Sequence, residues 1–381
     1  MSGALVPSQH PARKERHSRR LRWLASMVAV ALALWGGAAV ARKGRSPRAP
    51  PALLQDTGLY TDFGQRLVDS RHLEFSPQYP LWSDGAVKRR WVSLPPGKAI
   101  DGSNPDVWVF PVGTRFWKEF SFGGRRIETR FIERQPDGSW LYATYAWSQD
   151  ESEAHLVSEK GKAGACELGG GRWHLIPSLN DCKACHQGHP SEVLGFGALQ
   201  LSPDRDPNAV HGEPLPAPGV DLRYLVKNKL LKRFPRALLE KPPRISAATP
   251  VERAALGYLH GNCGHCHNDV GSLKNLEFAL RHVMSDSPSA PERAIATAVG
   301  RKIRARAPGQ TEDALLRVEP RHPERSLLMQ RMSSRYAALQ MPPLGTVILD
   351  EEAIALVSRW IAGSDTLEAP PSISGSSSRT Q

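Results

Sequence analysis

WVFPVGTRFWKEFSFGGRRIETRFIERQPDGSWLYATYAW, residues 108–147, is the stretch whose reading decides the fold. Aromatic residues and valine fill Trp108 to Phe122, with Trp108, Phe110 and Val112 alternating, and Gly123-Gly124 then offers a tight turn. Arg126 to Glu133 reads as the return strand, with Ile127, Thr129 and Phe131 on one face. Pro136-Asp137-Gly138 is a second turn signal, and Ser139 to Trp147 sets Trp140, Tyr142 and Thr144 against Leu141, Ala143 and Tyr145. The pattern predicts a three-stranded antiparallel meander. Its aromatics stand at strand spacing, which marks them as core rather than as a ligand platform.

Upstream, Val87 to Leu94 supplies a further strand, closed by Pro95-Pro96-Gly97, so residues 54–165 read as a β-rich domain, an antiparallel sheet or sandwich. Trp82-Ser83-Asp84-Gly85 reads as a loop whose polar residues line a site or simply make a turn. Downstream the texture changes to Gly/Pro loops broken by short helical runs. Leu222 to Leu239 has helical composition with a break at Pro235; Pro250 to Gly261 is a clearer helix, with Thr249 at the N-cap and Pro250 in the first position. Asp350 to Ala362 carries an apolar stripe of Ile354, Val357, Trp360 and Ile361. The expected class is therefore α+β and multidomain: the sheet domain, then a mainly helical, loop-rich, cytochrome c-like region divided at 166–249 and 250–365, then a Ser/Pro-rich tail at 366–381 expected to be disordered.

The amino terminus is arginine-rich, and an apolar run from Leu24 to Val40 ends in Ala39-Val40-Ala41. This predicts an export signal over residues 1–41, cleaved after Ala41; the alternative is an uncleaved anchor formed by residues 24–40, the one route to membrane contact. Either way the remaining chain is expected outside the cytoplasm, periplasmic or at the outer surface. A Pro/Arg-rich linker follows at 42–53. The net charge of +12 falls to +7 without the signal, and no aromatic-plus-basic reading module accompanies it, so nucleic acid is not an expected partner. An acidic redox partner protein fits the residual charge better.

Four of the five cysteines lie in Cys182-Lys183-Ala184-Cys185-His186 and Cys263-Gly264-His265-Cys266-His267. One Cys occurs in about 76 residues and one His in about 29, so a given Cys is followed by x-x-Cys-His by chance about once in 2,000 cases. The pattern is that of covalent c-type haem attachment. Cys182 and Cys185, and Cys263 and Cys266, would form thioethers, with His186 and His267 placed to reach the two irons. Zinc is the competing reading, but 77 residues separate Cys185 from Cys263, too far for a ribbon, and zinc has no need of a His after each pair. Met341, in Gln340-Met341-Pro342-Pro343, is the candidate sixth ligand of the second haem; Met329 and Met332 lie on a helical run and read as core. No Met lies between His186 and Cys263, so the first haem's sixth ligand is a His, comes from elsewhere or is absent. His174, His189, His211 and especially His260 are the local choices. Cys166 fits no pattern.

The chain resembles a family of exported bacterial di-haem c-type cytochrome proteins with a β-rich amino-terminal region. The resemblance is carried by Pro80-Leu81-Trp82-Ser83-Asp84-Gly85-Ala86, Phe110-Pro111-Val112-Gly113-Thr114, Ile127-Glu128-Thr129-Arg130, Leu194-Gly195-Phe196-Gly197, Tyr258-Leu259-His260 and Gln340-Met341-Pro342-Pro343-Leu344-Gly345. It implies haem binding and electron transfer and brings no specific reaction with it. Three functions follow as expectations: an electron carrier with two haems, a haem oxidoreductase or peroxidase-like enzyme with a reactive first haem, and a binding module in which the β domain recognises a partner that the haems serve.

Overall fold

The meander expected over residues 108–147 is the centre of a larger sheet. The computed structural model describes residues 48–284, 292–303 and 316–363. The export signal, the first half of the linker and the tail at 366–381 therefore lie outside the described residues. Six strands pair antiparallel in chain order: β1 (Leu73–Glu74), β2 (Val87–Ser93), β3 (Arg115–Phe122), β4 (Arg125–Arg134), β5 (Trp140–Trp147) and β6 (Ala154–Leu156). The side-chain period of two makes the sheet's faces distinct. Trp91, Trp117, Phe131, Tyr145 and Trp147 pack on one face against Leu54 and Leu59. Val92, Phe116, Trp140 and Tyr142 pack on the other against Val193, Phe196 and Leu201. Each such large apolar side chain, removed from water, stabilises the fold by about 1.5–3 kcal/mol.

Two expectations about the sheet are corrected. Trp108 to Phe122 is not one strand. Pro111 has no N–H to give, Gly113 takes a φ of 86°, and the Thr114 N–H turns back onto the Pro111 carbonyl (3.1 Å), so the strand of this sheet begins only at Arg115, while Val109 pairs separately with Asp101. Nor does a second sheet complete a sandwich, since the second face is covered by loop-rich chain from 193 to 232. That segment includes Leu231–Lys232, which pairs in parallel with Ile100–Asp101. The expected helix from Leu222 to Leu239 consequently stops at Lys227. The Asn228 amide side chain and backbone N–H both close onto the Tyr224 carbonyl, and Lys229 turns the chain at a φ of 59°.

The second half is helical only in pieces, so the expected mainly helical, cytochrome c-like region is corrected to a loop-rich one that does not have the form of a helical cytochrome. A hairpin, β7 (Lys162–Gly169) and β8 (Arg172–Ile176), carries Cys166 opposite His174 and runs across residue 165. The helices are α1 (Leu179–His186), α2 (Leu222–Lys227), α3 (Ala237–Glu240), α4 (Pro250–Asn262), α5 (Arg293–Ala298), α6 (Leu327–Met332) and α7 (Glu351–Ala362). Only α4 and α7 exceed eight residues among the described residues. The chain's 32 prolines and 32 glycines punctuate the rest. The class is α+β, with a multi-strand antiparallel sheet and few helices.

α4 and α7 pack together with Met329, Met332 and Val318 in a core of their own. Met329 and Met332 are thus core residues. A loop from the sheet side clasps α4. Tyr79 lies against Gly257 and Gly261, where a Cβ would come within 2.0 and 2.5 Å of it, and Asn262 Oδ1 accepts the Trp82 N–H (2.7 Å). Asp84 in the same loop accepts the N–H groups of Val347 (2.8 Å) and Ile348 (2.9 Å). Trp82-Ser83-Asp84-Gly85 is therefore a clasp joining the sheet to both α4 and the segment after Met341. No helix among the described residues is long and apolar enough to cross a membrane.

Candidate functional site

α1 is short and buries no residue fully, so its ends matter. Ser178 and Asp181 form a reciprocal capping box: the Asp181 N–H donates to Ser178 Oγ (3.2 Å) and the Ser178 N–H to Asp181 Oδ2 (2.9 Å). Cys182, Cys185 and His186 follow on this anchored turn. The ring of His186 packs beside Tyr142 of β5, with centroids 5.1 Å apart, and its Nδ1 donates to the Glu192 carbonyl at 2.6 Å. That bond puts the ring proton on Nδ1 and leaves the Nε2 lone pair for a metal, the usual way a protein orients an imidazole ligand. The Tyr142 hydroxyl donates to Glu192 Oε2 (2.6 Å) and so steadies the same residue. Burial pulls the His186 pKa down to about 4, so the ring is neutral at pH 7, the form that ligates.

The second motif lies where α4 ends. Thr249 accepts the Glu252 N–H (3.1 Å) to start that helix, and Cys263 closes it. The Cys266 and His267 N–H groups then fold back onto the Cys263 carbonyl at 3.1 and 2.9 Å. His267 packs against Phe278, with centroids 4.9 Å apart, and burial lowers its pKa to about 4. Its Nδ1 is buried with no hydrogen-bond partner, so nothing among the described residues fixes its tautomer as Glu192 fixes that of His186.

The structure brings the two motifs together. The ligand atoms of Cys185, His265 and Cys266 all lie within 4.8 Å of one another. A hydrogen bond to Cys266, with burial, pushes the Cys185 thiol up to about 12, and the same bond lowers Cys266. Asn268, directly after the second motif, locks the pair. Its Nδ2 donates to the carbonyls of Gly188 (2.9 Å), Gly264 (3.1 Å) and His265 (3.1 Å), while its Oδ1 accepts from Val270 and Gly271. Gly188 and Gly271 permit the approach, because a Cβ on Gly271 would meet the Gly188 carbonyl oxygen at 2.5 Å. Sequence reasoning passed over Asn268 and these glycines, since an Asn after a motif and glycines among 32 carry no signal of their own.

A cavity of about 250 Å3 lies between the motifs and the sheet. Cys182, Cys185, His186, His189, His260, His265 and Cys266 reach its wall, as do the Pro342–Thr346 segment and the apolar side chains of Phe75, Phe116 and Phe196. Met341 does not line it; its N–H donates to the Arg331 carbonyl (2.9 Å) in the loop before α7.

The four histidines considered for the first haem separate clearly. His174 is fully enclosed, bonded through Nε2 to Glu128 (3.0 Å) with Nδ1 3.8 Å from Asp84, and His211 Nε2 is held by Asp350 (2.8 Å). Neither lines the cavity. His260 is on the wall, but its Nδ1 accepts the His282 N–H (3.1 Å), which places the ring proton on Nε2 and leaves no lone pair there for a metal. His189 is on the wall with Nδ1 2.8 Å from the Ser191 carbonyl oxygen. The donor set of thiols and neutral imidazoles fits a c-type haem at the first motif, and Cys182 and Cys185 would hold it with His186 beneath. Comparison with protein-family models, curated proteins and solved structures finds no match to the chain.

Proposed function

We propose that the chain is a di-haem c-type cytochrome that transfers electrons outside the cytoplasm. Haem would be held covalently by Cys182 and Cys185 and by Cys263 and Cys266, with His186 and His267 as proximal ligands and Met341 as the candidate sixth ligand of the second haem. The observation that carries this reading is the meeting of the two motifs, with Cys185, His265 and Cys266 inside one 4.8 Å cluster although 77 residues separate Cys185 from Cys263. Two cofactors anchored there stand at short range, which is what a relay requires. The Glu192 carbonyl orients His186, and Asn268 fixes the spacing of the two attachment segments. When bound, haem supplies a one-electron couple whose potential depends on axial ligation and burial.

The test is the pyridine haemochrome spectrum of the full chain, produced in a host that attaches haem. Two haems per chain are expected, with both covalent by mass; zero covalent haem under those conditions overturns the proposal. A Met341→His variant should move the potential of one haem and leave the other. The wall histidines beside the first motif also favour a second reading, an oxidoreductase with an open first haem. Cyanide binding to one of two haems would select it.

The cluster of Cys185, His265 and Cys266 also favours a soft-metal site. It offers three ligands, one fewer than a closed zinc site, and leaves Cys182 and Cys263 without a role. Stoichiometric zinc in the purified chain would select it.

A further inference from the structure

Across the centre of the sheet, three cations stand in one row. The register places Arg90 of β2 opposite Lys118 of β3, and Lys118 opposite Arg130 of β4, all on the face that looks into the cavity. Like charges directly opposite in a sheet repel, and a low-dielectric setting magnifies the effect. The flanking two are neutralised: Arg90 by Glu213 at 2.6 Å and Arg130 by Glu128 at 2.6 Å.

Lys118 in the middle has no such partner. Among the described residues its ammonium makes no hydrogen bond or ion pair and stands 4.8 Å from the ring centroid of Phe120. The carboxylates that reach the cavity wall, Asp106 and Asp181, are committed elsewhere, Asp106 to the Met284 N–H (2.8 Å) and Asp181 to the α1 cap. Lys88, next along β2, gives its ammonium to the Leu81 carbonyl (2.7 Å). Burial, together with the charges of Arg90, Lys88 and Arg130, lowers the Lys118 pKa well below its ordinary value, a penalty that a bound anion would relieve.

We propose that Lys118, flanked by Arg90 and Arg130, is an anion seat inside the cavity for a carboxylate or small oxyanion. The seat exists independently of the haem proposal, but one of its two sources rests on that reading: the anion is either a propionate of the haem on Cys182 and Cys185, or a free oxyanion brought beside it. In both cases one negative charge completes a row whose flanking members already have theirs. Without an anion the central lysine faces the cavity between two paired guanidinium groups with no counter-charge of its own, an arrangement a folded protein does not retain for stability.

The full chain as purified, with Lys118→Gln, Lys118→Met and the exposed control Lys98→Gln, tests this. Inorganic phosphate and nitrite are titrated by calorimetry, and the midpoint potential of each haem is measured in the same preparations. Saturable binding to the parent and to Lys98→Gln, weakened at least tenfold in both Lys118 variants, identifies a free oxyanion. Absence of that binding, with one haem potential lowered in both Lys118 variants at unchanged haem content, identifies the propionate. If neither binding nor potential responds to Lys118, the seat is overturned. Should the chain carry no haem, the cofactor proposal fails, and the calorimetric arm alone decides the seat.

Discussion

The two Cys-x-x-Cys-His segments are identical as patterns and unlike as structures. The first rides on a capped helical turn, has its imidazole aimed by the Glu192 carbonyl and opens onto a cavity walled by the sheet. The second hangs from the end of α4, packs its His267 on Phe278 and keeps a buried Nδ1 without a partner. One site is finished by the polypeptide before anything binds. The other leaves its imidazole unoriented, and the difference teaches that a shared motif sets which side chains stand together and not the surroundings that tune them.

If two haems are attached as proposed, the sharpest way to break the comparison is to remove one motif at a time. Cys182→Ala with Cys185→Ala should halve covalent haem and abolish the signal of the site that the sheet encloses. Cys263→Ala with Cys266→Ala should halve it too and leave the cavity-facing haem intact. Pyridine haemochrome and mass spectrometry read both, and retention of two haems in either variant breaks the assignment.

Next comes the charge network beneath the first site. Burial would raise the Glu128 carboxyl, but the Arg130 charge and hydrogen bonds from His174 and Arg130 overcome it and hold it at about 2 against an ordinary 4.5. A carboxyl held low in the folded state stabilises fully above about pH 4.5, and that contribution is lost as pH falls toward 2. Glu128→Gln should lower stability at pH 7 by on the order of 3 kcal/mol and flatten the acid limb of melting temperature against pH. The absorbance of the first haem should respond and that of the second should not.

Asn268→Ala sharpens the comparison from between the motifs. It leaves the Gly188 carbonyl and two backbone N–H groups without their partner, a loss of about 2 kcal/mol. Electron exchange between the haems should slow while haem content holds at two, measured by rapid-mixing spectroscopy. The smallest effect is expected at Cys166, which sits on the β7–β8 hairpin away from both motifs. Cys166→Ser should change stability by less than about 0.5 kcal/mol and leave haem content unchanged; a lost haem would show that this thiol takes part in attachment.

Much of this was legible in the sequence wherever spacing carries the physics. The strands from Arg125 to Trp147, the Thr249–Pro250 helix start and the core role of Met329 and Met332 follow from period, capping and composition. What was not legible depends on distant partners. Trp108 to Val112 alternates like a strand, yet Pro111 and Gly113 end the pairing, and Leu231 leaves a helical run because Ile100 is there to pair with it. His260 carried the right residue type at a suggestive offset, and a single backbone N–H from His282 decides its proton. Arg90, Lys118 and Arg130 look like ordinary surface charges until the register sets them side by side.

The clasp between the Tyr79–Asp84 loop and α4 has a consequence for the order of events during folding. The Trp82–Asn262 hydrogen bond spans 180 residues of chain, and contacts so distant in sequence close late, because the entropy of the intervening loop must be overcome first. The sheet is built from neighbouring strands and can assemble while α4 is still undocked. That order would leave Cys263 and Cys266 accessible while the sheet assembles. If haem is attached at those thiols as proposed, that delay is the time in which the attachment is made.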